Sequence, residues 1–254
     1  MSGSDSYRDV LFGSSSMILD ALAYKGSRRG LAGTEASGSH YLLHNEKTVV
    51  EDERERILDV AEKILRHIGH RKMTLGDIAD ELRVSRANIY RFFPTRASVD
   101  ECLFVRIADQ TVKIAREIAL EDETATKRLT GLIEAVHRQT CDRMRGDRNV
   151  HALFAAAAME NWTVGRRYFE ELTSIVEVII RGGQEAGELK ITDSFQAARA
   201  VFMGVISFVH PLLVEQAIAD QTDIDAEMQN QISFLIQALS EPPREPRSLS
   251  RHFG

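Results

Sequence analysis

The sequence predicts an all-α chain: a small three-helix head followed by a larger helical body. Two observations carry that prediction. From Glu51 to Ser240 the apolar residues recur at helical spacing, and no segment alternates convincingly with the period of two that a half-buried strand needs. The segment 74–96, TLGDIADELRVSRANIYRFFPTR, also fits two short helices crossing at a tight turn, each with its own start and stop signals.

Residues 1–50 read differently. Gly and Ser supply 15 of them and no helical period is sustained, so a disordered extension is expected. Within it, Ser16–Tyr24 can form transient turns through Ile18, Leu19 and Leu22, and Arg28 and Arg29 suit either a flexible arm on DNA or a plain unstructured extension. Periodicity starts at Glu51. Ile57, Val60, Ala61, Ile64, Leu65 and Ile68 fall on one stripe, and Gly69 stops that first helix.

The next helix begins at a capping box. The Thr74 hydroxyl can accept an orphan amide while the Asp77 carboxylate reaches back to another. Ile78, Ala79 and Leu82 form its inner face, Val84 lies at the turn, and Ile89 and Phe92 face inward from the third helix. Ala79 is small where two helix axes must nearly touch. Ser85 caps the third helix and Pro94 ends it near Phe92 or Phe93. The stretch from Ser85 to Phe92 spans roughly 12 Å, about the width of a major groove. Its outward positions carry Arg86, Ala87, Asn88, Tyr90 and Arg91, which are donors and small residues suited to that groove.

These residues resemble the N-terminal domain of the TetR family of bacterial transcription regulators over positions 54–99. The resemblance is carried by the amphipathic helix ending at Gly69, the Thr before Leu75-Gly76-Asp77-Ile78-Ala79, the pair Val84-Ser85, and the run Tyr90-Arg91-Phe92-Phe93-Pro94-Thr95-Arg96. One position departs. Where the family often has Gly in the turn, this chain has Arg83, and left-handed geometry there costs a non-Gly residue roughly 1 to 2 kcal/mol. The resemblance implies that Tyr90 and Arg96 clamp backbone oxygens. Thr74 also suits phosphates, as do Arg83 and Arg91, whereas Arg86 suits a guanine edge, Asn88 an adenine edge and the Ala87 methyl a thymine.

Charge fits this assignment once it is divided along the chain. The net charge is −6, yet Arg66 to Arg96 hold seven basic and three acidic residues, a balance of +4 that leaves −10 on the remainder. Phosphate attraction decays over about 8 Å at physiological salt, so a basic head can hold DNA despite an acidic body.

Thr95 caps a fourth helix running to about Ala119, with Val99, Leu103, Ile107, Ile114 and Ile118 inward. Further helices are expected near Thr126–Met144, Val150–Glu160, Val164–Glu185, Asp193–Ala219 with a kink near Phe208 from Pro211, and Asp223–Ser240. The domain plan is therefore an extension (1–50), a helix-turn-helix head (51–97), a helical effector-binding and dimerisation domain (98–241) and a mobile Pro-rich tail (242–254).

The last two long helices are unusually apolar: Phe195, Ala198, Val201, Phe202, Val205 and Val209 in one, and Ile224, Met228, Ile232, Leu235, Ile236 and Leu239 in the other. The resemblance implies a homodimer built through them as a four-helix bundle, presenting two heads about 34 to 36 Å apart to a palindromic duplex. It also implies a cavity for a small-molecule effector, which acts by moving the fourth helix as a lever. His137, Cys141, Phe154, Met159, Trp162, Tyr168, Phe169, Phe202 and His210 are the residue types at inward positions that such a cavity would use. His137 and Cys141 lie four apart on one helix face with no third ligand at metal spacing, so no zinc site is expected.

Other classes are disfavoured. No run of 18 uncharged apolar residues spans a bilayer, the N-terminus lacks a secretory pattern, and two cysteines, Cys102 and Cys141, build no disulfide framework, which points to the cytoplasm. No Gly-rich phosphate loop, HExxH, CxxC or nucleophile elbow suggests an enzyme, and no cofactor is implied. The rival reading is a helical module that binds a partner protein and carries a vestigial head.

Overall fold

The computed structural model describes residues 39–241. The expected arm at Arg28 and Arg29, the turns at Ser16–Tyr24 and the Pro-rich tail lie outside them. Ten helices, and no strand, occur among the described residues: α1 Ser39–Ile68, α2 Leu75–Leu82, α3 Arg86–Phe92, α4 Arg96–Ala119, α5 Ala125–Gly146, α6 Arg148–Met159, α7 Thr163–Glu185, α8 Ser194–Val209, α9 Pro211–Ala219 and α10 Ile224–Ser240. The all-α expectation holds. From α2 onward the helix ends fall within a few residues of the sequence reading, apart from the break between α8 and α9.

Two differences concern helix ends. α1 starts at Ser39, twelve residues before the expected boundary, because neither Gly nor Pro interrupts Ser39–Ile68 once the Gly/Ser-rich stretch is left behind. The single helix expected over Asp193–Ala219 is two, bent by 46° at His210. Pro211 cannot donate to the α8 ladder, so it takes the N1 position of a new helix, where its missing N–H matters least.

The chain forms two compact units. Among the described residues, one takes 39–108 together with Asp147–Phe169, and the other takes Asp109–Gly146 and 170–241. The division expected at 97/98 is thus displaced, and α4 passes from the first unit into the second.

In the first unit, Ile57, Ala61 and Leu65 of α1 are fully buried, and the helix packs on α2 and α6. Val60, Ile64 and Ile68 are only half-buried. Gly69 ends α1 at φ +84°, and Asn149 donates its side-chain amide to the Arg66 carbonyl at 2.8 Å, closing an open carbonyl of the last turn from α6. Arg66 also pairs with Asp147, the N-cap of α6. The aromatic anchor of α3 is Phe93, fully buried beneath the Arg54 guanidinium 4.5 Å from its ring centre, while Phe92, named for that role by the periodicity, is half-buried. The end of α3 at Pro94 turns Phe93 inward.

In the second unit, α8 packs on α5, α9 and α10. Gly204 lets α8 approach closely, since a Cβ there would lie 3.2 Å from Leu235 and Gln231. Gly183 is tighter still, with Ala125 Cβ 2.5 Å from where its own Cβ would be. Most of the apolar residues nominated for a partner are core here: Ala198, Val201, Phe202, Val205, Val209, Ile224, Met228, Ile232 and Leu239 are all buried. The exposed apolar side chains on these helices are Met203 and Phe234, at 41% and 65%. Periodicity alone does not separate a stripe facing its own bundle from one facing another chain.

No single helix among the described residues is long and apolar enough to cross a membrane. The bent pair α8–α9 is apolar along its joint length, and its helices carry core residues of the second unit.

Candidate nucleic-acid interface

Short helices persist at α2 and α3 because their ends are satisfied by their own neighbours. Thr74 takes the Asp77 amide on its hydroxyl at 3.1 Å, and the Asp77 carboxylate accepts from the Thr74 amide and hydroxyl, both at 2.8 Å. This is the reciprocal box expected from the sequence. Arg83 closes α2 in left-handed geometry, φ 56° and ψ 40°, as its place in the turn predicts. The Ser85 hydroxyl accepts the Asn88 amide at 3.2 Å and starts α3.

Four of the nominated residues meet in one place. Thr74, Arg86, Tyr90 and Arg96 line a cleft of about 500 Å³, together with Gly76 and Thr95. Its lining holds two guanidinium groups and three hydroxyls and no carboxylate. Tyr90 is exposed to 54% although its neighbour Ile89 is fully buried, so the ring stands out from α3. Arg83, Ser85, Ala87, Asn88 and Arg91 do not line the cleft. Ala87 is exposed, Asn88 is half-buried, and the Arg91 guanidinium lies 4.8 Å over the Phe92 ring.

The two arginines of the cleft are held differently. Arg86 lies against α2: a Cβ at Gly76 would sit 3.2 Å from its Nη2 and 3.3 Å from Cζ and Nε. Arg96 donates to the His70 carbonyl, and its Nη1 lies 3.3 Å from Asp100 Oδ2. Asp100 and His70 are buried, at 1% and 4% exposure, with His70 Nδ1 3.6 Å from Asp100 Oδ2. Neither His70 ring nitrogen nor Asp100 Oδ1 makes a hydrogen bond, so this small polar base beneath Arg96 is only partly satisfied. Sequence reasoning missed Gly76, Thr95, His70 and Asp100. The spacing of Arg96 and Asp100, four apart on one helix, was the available signal.

The nominated effector residues divide between the two units. In the first, Phe154 and Tyr168 are buried with Phe104, a residue the sequence did not nominate. Phe104 and Phe154 are 4.5 Å apart, and Tyr168 meets both edge-on at 6.1 and 6.2 Å. Phe169 lies 5.2 Å from Tyr168. Met159 and Trp162 depart from the expectation of an inward position. Met159 ends α6 at 63% exposure, and Trp162 sits half-buried in the turn beyond it, donating to Glu160 at 2.9 Å, because the chain reverses there at Asn161 with φ 52°.

In the second unit, Phe202 and His210 are buried, and burial pushes the His210 imidazole below its ordinary pKa. His137 and Cys141 line a hollow of about 300 Å³ with Arg138, Arg145 and Asp225. His137 Nδ1 donates to the Phe208 carbonyl at 2.7 Å and Nε2 donates to Asp225 at 2.9 Å, so both nitrogens face acceptors and the ring is an imidazolium. Burial opposes that charge, but the hydrogen bonds with Cys141, Phe208 and Asp225 outweigh it and hold the pKa up at about 9. Cys141 Sγ lies 3.5 Å from Nε2. No group of three metal-ligating side chains occurs among the described residues.

Two family models match this chain. One, described as bacterial regulatory proteins, tetR family, matches residues 57–99, and the other, described as Tetracyclin repressor-like, C-terminal domain, matches residues 125–230. Together they span more than half of the chain. No curated protein matches in sequence. Among solved structures, a TetR-family transcriptional regulator from Pectobacterium atrosepticum is similar at TM-score 0.58 and 13% identity, covering 78% of this chain and 98% of its own. A TetR/AcrR-family regulator from Thermobifida fusca YX-ER1 is similar at TM-score 0.53 and 20% identity, covering 75% of this chain and all of its own. FadR of Thermus thermophilus, named as a transcriptional repressor in complex with lauroyl-CoA, is similar at TM-score 0.53 and 18% identity, covering 77% and 98%. At these identities the likeness shows the fold.

Proposed function

We infer the function of this chain from one premise: it belongs to the TetR family of bacterial regulatory proteins, matched at both its helix-turn-helix and its helical body. It is a DNA-binding transcriptional regulator. The reading adopted is a repressor, non-enzymatic and cytoplasmic, that holds a palindromic operator as a homodimer and leaves it when a small molecule occupies the helical body. The observation that carries DNA binding is the acid-free cleft between Arg86 and Arg96 on the capped α2–α3 pair, within a head whose balance is +4. A vestigial head would have no need of such a cleft or of two intact caps.

Ligand response is supported by the repressor–lauroyl-CoA complex of the same fold, and by the buried aromatic group of Phe104, Phe154 and Tyr168 as a surface for an apolar effector. α4 is one unbroken helix from Arg96 at the cleft to Ala119, so a shift of its distal half is felt at a DNA contact. A coupling of about 1 to 3 kcal/mol would change operator affinity roughly 5- to 150-fold, and operator would weaken effector binding by the same factor.

Selection from random duplexes tests the central reading. A two-fold consensus bound at least about a thousand-fold more tightly than scrambled duplex at physiological salt supports it. Absence of any enriched sequence rejects it. With a consensus in hand, Asn88→Ala is expected to cost about 1 to 3 kcal/mol and to relax preference at one position, read by competition against single-position operator variants.

A further inference from the structure

Gly76 is the second residue of α2, and its backbone is not in the left-handed region that calls for glycine. With no conformational need for glycine, the absence of a side chain there has a different use. The use on view is to admit Arg86, whose guanidinium packs onto Gly76 so closely that a Cβ would meet three of its atoms at 3.2–3.3 Å. Arg86 comes from the first turn of α3 yet rests against the neighbouring helix.

We propose that Arg86 grips a DNA backbone phosphate in the cleft it shares with Arg96, seated there by Gly76, and does not read a base edge. This rests on the DNA-binding reading above and assigns a role within it. The cleft has the composition of an anion seat: two guanidinium groups, the hydroxyls of Tyr90 and Thr95, and no carboxylate in its lining, the Thr74 hydroxyl being donated to Asp77. A base edge carries no net charge and the cleft lining offers Arg86 no carboxylate, whereas Arg96 already has Asp100 Oδ2 3.3 Å from its Nη1. A phosphate supplies one negative charge within reach of both guanidinium groups. Reaching outward to a base would also strip Arg86 of its contact with α2. Base reading then falls to Ala87 and Asn88, which lie outside the cleft.

The test uses the full-length protein, the consensus duplex selected by the wild type, and a scrambled duplex of equal composition. Arg86→Ala is expected to weaken binding to both by the same factor, roughly tenfold, and to shallow the plot of log affinity against log salt by about 0.9 per head. Repeating the selection with this variant should return the same consensus. Gly76→Ala fits the helix and should leave the melting temperature level or raised, because only the far end of a flexible side chain has to move. It should nonetheless weaken binding to both duplexes by one common factor, smaller than that of Arg86→Ala because the guanidinium is displaced and not removed, and the double variant should bind no more weakly than Arg86→Ala alone.

A consensus relaxed at one base pair in the Arg86→Ala selection would overturn the proposal, as would unchanged affinity in Gly76→Ala. Either result leaves DNA binding itself standing. Failure of the wild type to enrich any sequence would instead remove the parent reading, and this role with it.

Discussion

Single residues decide how well the reading head is held. Arg83 sits at φ 56° where a residue without Cβ would be unstrained, so Arg83→Gly is expected to stabilise the protein by about 1 kcal/mol, reduced somewhat by the freer unfolded chain. Thermal unfolding should show a rise of a few degrees, and a fall would mean that the side chain makes a contact outweighing the strain. Asp77 acts in the opposite sense. Its carboxylate satisfies the amide and hydroxyl of Thr74, and Asp77→Ala should cost about 1 kcal/mol, read by chemical denaturation. Both positions were legible in the sequence because their causes are local: a turn position and a three-residue spacing. Gly76, His70 and Asp100 were not, since their meaning comes from what another segment of the chain brings against them.

At the scale of elements, periodicity placed the described helices from α2 onward, with α8 and α9 merged into one, but not which neighbour each face meets. α4 shows the limit. Val99, Leu103 and Ile107 are buried as expected, but beyond Ala108 the buried positions are Thr111, Val112, Ala115 and Ala119, while Ile114 and Ile118 are half-buried. The helix enters the second unit there, and a new set of neighbours fixes the inner side. The joint of α5, α8 and α10 at His137 was equally hidden. The side chain sits on α5, accepts no partner on its own helix except Cys141, and bonds the Phe208 carbonyl of α8 and Asp225 of α10. Its pKa of about 9 in the folded protein exceeds the ordinary 6.5, so the stabilisation is complete below pH 6.5 and is lost as pH rises through 9. Asp225 is largely exposed, which limits the effect to about 2 kcal/mol. His210 has the opposite sign: its depressed pKa favours the neutral ring, so its contribution is present above the unfolded value and falls away on acidification. Stability is therefore expected to peak near neutrality. Denaturation across pH 6 to 10 should show the alkaline fall in the wild type and a flatter curve in His137→Gln; identical curves would refute the joint.

For the whole molecule, the proposed homodimer needs an apolar surface left over after each chain has folded. Phe234 on α10 and Met203 on α8 supply it, since most of the residues first nominated are already committed to the core. Phe234→Asp is expected to shift the assembly towards monomer by about 2 kcal/mol or more, with far-ultraviolet circular dichroism unchanged. Sedimentation at micromolar protein checks this, and an undiminished dimer would place the interface elsewhere. The first unit carries a different consequence. It is assembled from two stretches of chain, and the second of them brings Asn149 to the last turn of α1 and Asp147 to Arg66. A fragment cut after Ala108 would leave the Arg66 carbonyl without its acceptor-satisfying amide and one flank of α1 bare. During synthesis the ribosome must likewise deliver Asp147–Phe169 before that flank is covered, so the part that meets DNA is finished only after the chain has begun its other half.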